Sequence, residues 1–175
     1  ISWKVGSKMV VEQEELNVIR YVNQQTGEPQ ELRYRTGQWD TAWNVYSRDT
    51  ATWRYDTMWH VPPYEVKADG FSMMDTENND HAVDLLTTEE GVLIVTLWDM
   101  DGLTDEGVAK IDAAREMALE SDLRMVLLAA DPVAFAMNLA DEVYMADATA
   151  IKAMMRGNPG FMFVKDGVVI DKGKI

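Results

Sequence analysis

Residues 91–98 form the run Gly-Val-Leu-Ile-Val-Thr-Leu-Trp, which is apolar almost throughout and rich in β-branched side chains. A run without alternating polar residues is typical of a strand that is buried on both faces of a parallel sheet. A second run of this kind lies at residues 123–129. Between them, Thr104 or Asp105 can cap a helix that extends to about Ser121. Two strands joined through a helix predict parallel pairing with a right-handed crossover.

The predicted elements continue to the end of the chain. Pro132 suits the first turn of a helix, predicted through about Val143, and a short helix is predicted over residues 148–155. Two apolar stretches at residues 161–164 and 168–170 flank Lys-Asp-Gly, and Asp-Gly is a strong two-residue hairpin signal. The predicted fold class is therefore α/β, a mixed sheet flanked by helices.

Upstream of residue 91, residues 71–74 and 81–85 are predicted as two short strands around a polar turn. That turn, residues 75–80, is rich in Asp and Asn, which favour solvated turns over metal sites.

The first 69 residues differ from the rest in predicted secondary structure and in tryptophan content. Strands are predicted at residues 10–11, 17–22 and 31–34, the last two as a hairpin. Residues 37–63 are predicted to be an irregular loop whose aromatic side chains pack onto the following domain rather than form a platform for a ligand. Residues 1–69 are thus predicted to be a small Trp-rich extension, and residues 70–175 the main domain. The extension holds five of the six tryptophans: Trp3, Trp39, Trp43, Trp53 and Trp59.

Composition excludes several function classes. The chain has 175 residues, a formal net charge of -14 and no cysteine. Nucleic acid is an unfavourable partner because phosphate binding requires clustered Lys and Arg. Disulfides, thiol nucleophiles and Cys-zinc sites are absent. No apolar run approaches the ~20 residues that span a bilayer. Because the chain starts at Ile1, we expect a fragment of a longer protein or a mature form.

The stretch from Arg156 to Val169 resembles the end of thioredoxin-like domains, in which a cis-proline precedes a strand, a Lys-Asp-Gly turn and the last strand. Residues 71–86 resemble the first hairpin of the periplasmic TlpA-like branch. The resemblance covers about the last 105 residues and implies a thioredoxin-like sheet. It also implies that Asn158 and Pro159 form the cis-proline loop, kept as a turn that the fold requires or as a groove for a strand-like peptide.

A further resemblance concerns bacterial DoxX-like membrane proteins, some of which carry a thioredoxin-like C-terminal domain after a Trp-rich linker. The similar segments are residues 4–6, 49–53, 62–63 and 146–149, followed by 158–160. This resemblance implies a domain tethered at the periplasmic face of the inner membrane. Its partner would be another envelope protein or the membrane domain itself.

The redox motif of thioredoxin-like domains has no counterpart in the sequence. Its Cys-x-x-Cys positions fall on Asp101, Gly102, Leu103 and Thr104, none of which can exchange disulfides. The sequence therefore predicts a non-catalytic, redox-inactive interaction domain without a cofactor or metal ion. It leaves the oligomeric state open.

One enzymatic alternative stays open. The predicted strand is followed by Asp99, Met100, Asp101 and Gly102. This arrangement is similar to the first motif of haloacid-dehalogenase phosphatases, in which two carboxylates and Mg²⁺ transfer a phosphoryl group. The following Leu and Thr are transposed relative to that motif. Neither acidic run has the Gly and Glu positions of an EF-hand loop. The two histidines, His60 and His81, fall on different predicted elements, so no Ser-His-Asp arrangement can be proposed.

Overall fold

A computed structural model describes residues 3–35, 37–38, 41–68 and 70–174. The chain divides into two compact units, one formed by Ile1–Val11 with Val66–Ile175 and the other by Glu12–Glu65. This division differs from the predicted boundary at residue 69, because the N-terminal segment belongs with the C-terminal unit. There, the amide of Gly6 donates to the carbonyl of Val169 at 2.7 Å.

The structure is mixed α/β, with four α-helices among the described residues. In chain order the elements are β1 (Val10–Glu12), β2 (Leu16–Asn23), β3 (Pro29–Tyr34), α1 (Thr41–Arg48), β4 (Trp53–Val61), β5 (Tyr64–Val66), α2 (Ala82–Leu86), β6 (Val92–Leu97), α3 (Asp105–Glu120), β7 (Arg124–Ala129), a 3-10 helix (Pro132–Ala136), β8 (Val143–Met145), α4 (Ala148–Met154), β9 (Gly160–Lys165) and β10 (Val168–Lys174). Strands β1 and β5 pair with each other as a two-stranded sheet.

The larger unit is built on a five-stranded sheet in the order β10-β9-β6-β7-β8. Strands β6, β7 and β8 are parallel, whereas β9 is antiparallel to β6 and β10 is antiparallel to β9. Every residue of β6 is buried, as its unbroken apolar run predicts. The final hairpin is also confirmed, with Asp166 and Gly167 at φ values of 50° and 75°, which suit a two-residue hairpin turn.

The core of this unit lies between the sheet and helix α3. Ile111, Ala114 and Ala118, spaced along one face of the helix, pack with Leu127 and other strand residues. The helix begins where the sequence predicts, because the Thr104 hydroxyl accepts the Gly107 amide at 3.1 Å and caps the first turn. This packing fixes the start of α3 beside the end of β6.

Two predictions for the larger unit are wrong. Residues 71–85 do not form two strands: Met74 makes isolated bridges to Asp80 and Met145, and residues 82–86 form a short helix. The Asp80 carboxylate accepts hydrogen bonds from the amides of Met73 and Ala82, and the helix begins at Ala82, directly after the turn. The helix predicted from Pro132 to Val143 stops after Ala136, because residues 143–145 pair with β7 as an added parallel strand.

The smaller unit is a three-stranded antiparallel sheet, β3-β2-β4, with helix α1. The loop predicted over residues 37–63 is wrong, since α1 and β4 both lie within it. Three of its aromatic side chains, Trp43, Tyr46 and Trp53, pack inside their own unit on a cluster with Ile19 and Tyr21. The rings of Tyr46 and Trp53 lie 4.8 Å apart. Trp39 lies outside the described residues.

Candidate functional site

The parallel strands of the larger unit all end at one edge of the sheet. The segments that follow β6, β7 and β8 carry Asp99, Asp131 and Asp147 respectively. In α/β sheets, ligands bind outside the carboxyl ends of the strands, where loops converge. The residues singled out from the sequence, 99–104 and 158–159, both reach this edge. We call Trp98, Asp99, Asp101, Arg156 and Asn158 the carboxyl-edge site.

The Asn158 side chain joins the two loops of this site. Its Oδ1 accepts the backbone amides of Trp98 at 3.1 Å and Asp99 at 3.2 Å, and its Nδ2 donates to the Asp99 carbonyl at 2.7 Å. The bond between Asn158 and Pro159 is cis, as the resemblance to thioredoxin-like domains implies. A β-carbon placed on Gly107 would lie 3.2 Å from Pro159 Cδ, so the first turn of α3 packs closely on the proline. The two predicted segments are therefore neighbours in the structure.

The four positions that align with Cys-x-x-Cys occupy the turn into α3. Asp101 and Gly102 are exposed, and the amide of Gly102 donates to Asp99 Oδ1 at 3.2 Å. Leu103 packs against the hydrophobic core. The Thr104 hydroxyl is the helix cap and accepts a backbone amide. These side chains shape and terminate the turn, and no base lies in hydrogen-bonding contact with the Thr104 hydroxyl in the described part of the chain.

Trp98 gives the site an aromatic surface beside charged groups. Its ring is half-buried, and its Nε1 donates to the Arg156 carbonyl at 3.4 Å. The Lys152 ammonium lies 4.1 Å from the ring centroid, a cation–π contact. The indole is thus held in a fixed orientation between helix α4 and the loop before β9. An oriented, partly exposed aromatic ring is a common anchor for a protein partner.

The phosphatase alternative requires the carboxylates of Asp99 and Asp101 to act together on one Mg²⁺ ion. Asp99 Oδ1 accepts an amide of its own turn, and Asp101 is exposed. Within residues 3–35, 37–38, 41–68 and 70–174, no group of three or more His, Cys, Asp and Glu side chains is placed to hold a metal ion.

A second polar cluster was not found from the sequence. His81 Nε2 lies 2.7 Å from Asp75 Oδ2, while Asp75 Oδ1 accepts the amides of Glu77 and Asn79 at 2.8 and 2.9 Å. The His81 hydrogen bond, followed by that of Asn79, lowers the pKa of Asp75 to about 2. The Asp-Asn turn was visible in the sequence, but the pairing depended on the helix that starts after His81.

Edge strand β8 extends this cluster. Glu142, just before the strand, accepts two hydrogen bonds from Arg124 at 2.7 and 2.5 Å, and the Tyr144 hydroxyl donates to it at 3.3 Å. The bond to Arg124 lowers the pKa of Glu142, and burial raises the pKa of Tyr144. The His81 and Tyr144 rings lie 5.2 Å apart. Each charge in this network has a partner. We therefore assign the network a structural role, in which it holds β8 and the turn at residues 75–81 in place.

None of the helices in the described part of the chain combines the length and apolar character needed to cross a membrane. Comparison of the sequence with protein-family models finds no match, and comparison with curated proteins finds none either.

Proposed function

We propose that this chain is a thioredoxin-like, redox-inactive interaction domain whose carboxyl-edge site holds an extended segment of another protein. The strand order supports the fold assignment: three parallel strands lie beside an antiparallel terminal hairpin, and a proline loop precedes β9. The observation that carries the proposal is the set of three hydrogen bonds from Asn158. They bring the proline loop against the segment after β6, where the family has its reactive motif.

Binding fits this site better than catalysis. The chain has no cysteine, so it cannot itself carry out thiol–disulfide exchange. Asp99 Oδ1 accepts an amide of its own turn, and the Thr104 hydroxyl caps α3. The indole is partly exposed with the Lys152 ammonium over its ring, and Asp101 and Arg156 are exposed as well. Such a surface suits an extended segment with an aromatic or proline side chain flanked by charges.

We further propose that the domain is extracytoplasmic and tethered to a DoxX-type membrane segment. The support is the resemblance of the short segments along residues 4–160. The partner is then another envelope protein or the membrane segment itself. Sequencing the coding region upstream of Ile1 tests this part, since four apolar spans are expected there. A start codon directly before Ile1 would overturn the tether and leave the binding proposal standing.

The binding proposal is tested by selecting peptides from a random 12-residue library on the 175-residue chain and measuring their affinities by calorimetry. We expect Trp98→Ala to weaken binding by about 30-fold, the effect of removing an anchor worth about 2 kcal/mol. Leu119→Ala is the matched control, because Leu119 is 83% exposed and lies at the far end of α3.

Amide chemical shifts measured on peptide addition locate the surface. Changes concentrated at residues 98–104 and 156–160 support the proposal. Peptides that bind Trp98→Ala as well as the unaltered chain, or that shift other residues instead, would contradict it, as would a library that yields no binder.

A further inference from the structure

The larger unit contains a second concave feature, a cavity of about 440 Å³. Its size falls in the range of sites for small organic ligands, about 300–1,000 Å³. We call it the Trp3 cavity. It is lined by Trp3, Ala68, Gly70, Phe71, Asp147, Thr149, Ala150, Ala153 and Met154.

The walls of the Trp3 cavity are apolar and fixed by the fold. Trp3 and Phe71 are 5% and 7% exposed and meet edge to face, with ring centroids 5.1 Å apart. On the other side, α4 presents the small side chains of Ala150 and Ala153, which leave space where larger residues would fill the gap. The space is therefore bounded by an aromatic corner and by a helix with little side-chain bulk.

A partly buried lysine, Lys172, connects the two walls. Lys172 Nζ donates to the carbonyl of Trp3 at 2.6 Å and to the carbonyl of Met154, at the end of α4, at 3.2 Å. The segment after Trp3 is also held to β10 through the Gly6 amide. Because both walls are anchored, the cavity is preformed. Ligand binding therefore carries little free-energy cost for ordering the site.

One carboxylate gives the cavity a polar end. Asp147 is the one charged side chain among the described residues of the lining. Its Oδ1 accepts the amides of Thr149 and Ala150 at 2.8 and 3.2 Å, as the cap of α4. Within the described chain this leaves Oδ2 to accept from a ligand. A single carboxylate at the end of an apolar space is complementary to an organic cation.

We propose that the Trp3 cavity binds a small amphipathic amine, whose apolar or aromatic body packs on Trp3 and Phe71 and whose ammonium group meets Asp147. The net charge of -14 favours the approach of such a cation over that of an acid of the same shape. The Lys172 ammonium donates to two backbone carbonyls and is not among the described residues that line the cavity. This inference does not depend on the proposed binding of a protein segment.

The test uses three indole compounds of similar size on the 175-residue chain: tryptamine, indole and indole-3-propionate. Affinities are measured by calorimetry and the site is located by amide chemical shifts. We expect tryptamine to bind about two- to fivefold more tightly than indole-3-propionate, the scale of an exposed ion pair. Shifts are expected at Phe71 and along α4.

Three variants separate the two halves of the proposal. Asp147→Asn keeps the helix cap, since Asn caps as well as Asp, and should remove the preference for tryptamine while indole still binds. Ala150→Leu fills the cavity and should abolish binding of all three compounds. Ala109→Leu, on the exposed face of α3, is the matched control and should leave binding unchanged.

Several outcomes would overturn the proposal. These are equal affinity for the amine and the acid, no binding of any indole at millimolar concentration, or tight binding that survives Ala150→Leu. Binding confined to aromatic peptides would show that a protein segment, not a small amine, occupies the cavity. If Ala150→Leu fails to fold by circular dichroism, Ala153→Leu replaces it, with the same expected loss.

Discussion

Replacing Thr96 with valine should stabilise the larger unit. Thr96, the fifth of the six residues of the buried strand β6, is 0% exposed, and its hydroxyl has no hydrogen-bond partner in the described part of the chain. The oxygen faces Gly160, where an added β-carbon would lie 2.6 Å from it. Valine has the same shape and the same preference for strands, so Thr96→Val removes the hydroxyl without opening a cavity.

The expected size follows from the cost of burying an unpaired hydroxyl, which is about 1–3 kcal/mol in proteins. The free energy of unfolding should therefore rise by about 1–3 kcal/mol. For a chain of this size, each kcal/mol corresponds to about 2–4 °C in Tm. Urea denaturation followed by far-UV circular dichroism measures the change, and an unchanged m-value shows that the folded and unfolded states keep their compactness.

Thr96→Ser is the matched control, because it keeps the hydroxyl and loses a methyl group. It should lower stability by about 1 kcal/mol, the value of one buried methyl. A loss of stability in Thr96→Val of the same size as in Thr96→Ser, or larger, would refute the reasoning. It would mean that the Thr96 hydroxyl is bonded in solution, to water or to another group.

Three further predictions concern the polar groups of the larger unit. Because the pKa of Asp75 is lowered from 3.8 to about 2, its bond to His81 stabilises the fold above pH 4 and loses this effect as the pH falls towards 2. In urea denaturation, Asp75→Asn should therefore lower stability at pH 6, by an amount that shrinks between pH 4 and pH 2. Asn158→Ala should cost about 2 kcal/mol in the same assay, since it leaves backbone groups of the segment after β6 unpaired. With p-nitrophenyl phosphate, no Mg²⁺-dependent release is expected from either the unaltered chain or Asp99→Asn.

Each of these has an outcome that contradicts it. A deficit in Asp75→Asn that stays constant down to pH 2 would show that the carboxylate contributes through shape rather than charge. An unchanged stability in Asn158→Ala would mean that its three bonds are not made in solution. Mg²⁺-dependent turnover that Asp99→Asn abolishes would establish the phosphohydrolase alternative.

The sequence predicted the elements whose signal is local and strong. The buried strand at residues 92–97 follows from an apolar run, the start of α3 from the capping hydroxyl of Thr104, and the last hairpin from Asp166-Gly167. Each depends on a few adjacent residues. The cis bond at Asn158-Pro159 came from a family resemblance, which physical reasoning alone would not have supplied.

The elements that the sequence missed are short or depend on distant partners. Helix α1 has eight residues, and polar residues separate its aromatic side chains at positions 43 and 46, a pattern that favours a loop. Strand β8 has three residues and exists because β7 offers a free edge. The Trp3 cavity joins residues 3 and 71 to α4, a set that no spacing in the sequence reveals.

Helix α4 belongs to both of the sites described above. Lys152 covers the Trp98 ring of the carboxyl-edge site, whereas Ala150 and Ala153 line the Trp3 cavity. Seven residues therefore form a common wall, and any shift of the helix that suits one occupant changes the space left for the other. If both sites bind, thermodynamic reciprocity requires that the amine alter the affinity for the protein segment by the same factor as the segment alters the affinity for the amine. Helix α4 would then couple the binding of a small molecule to the binding of a protein partner.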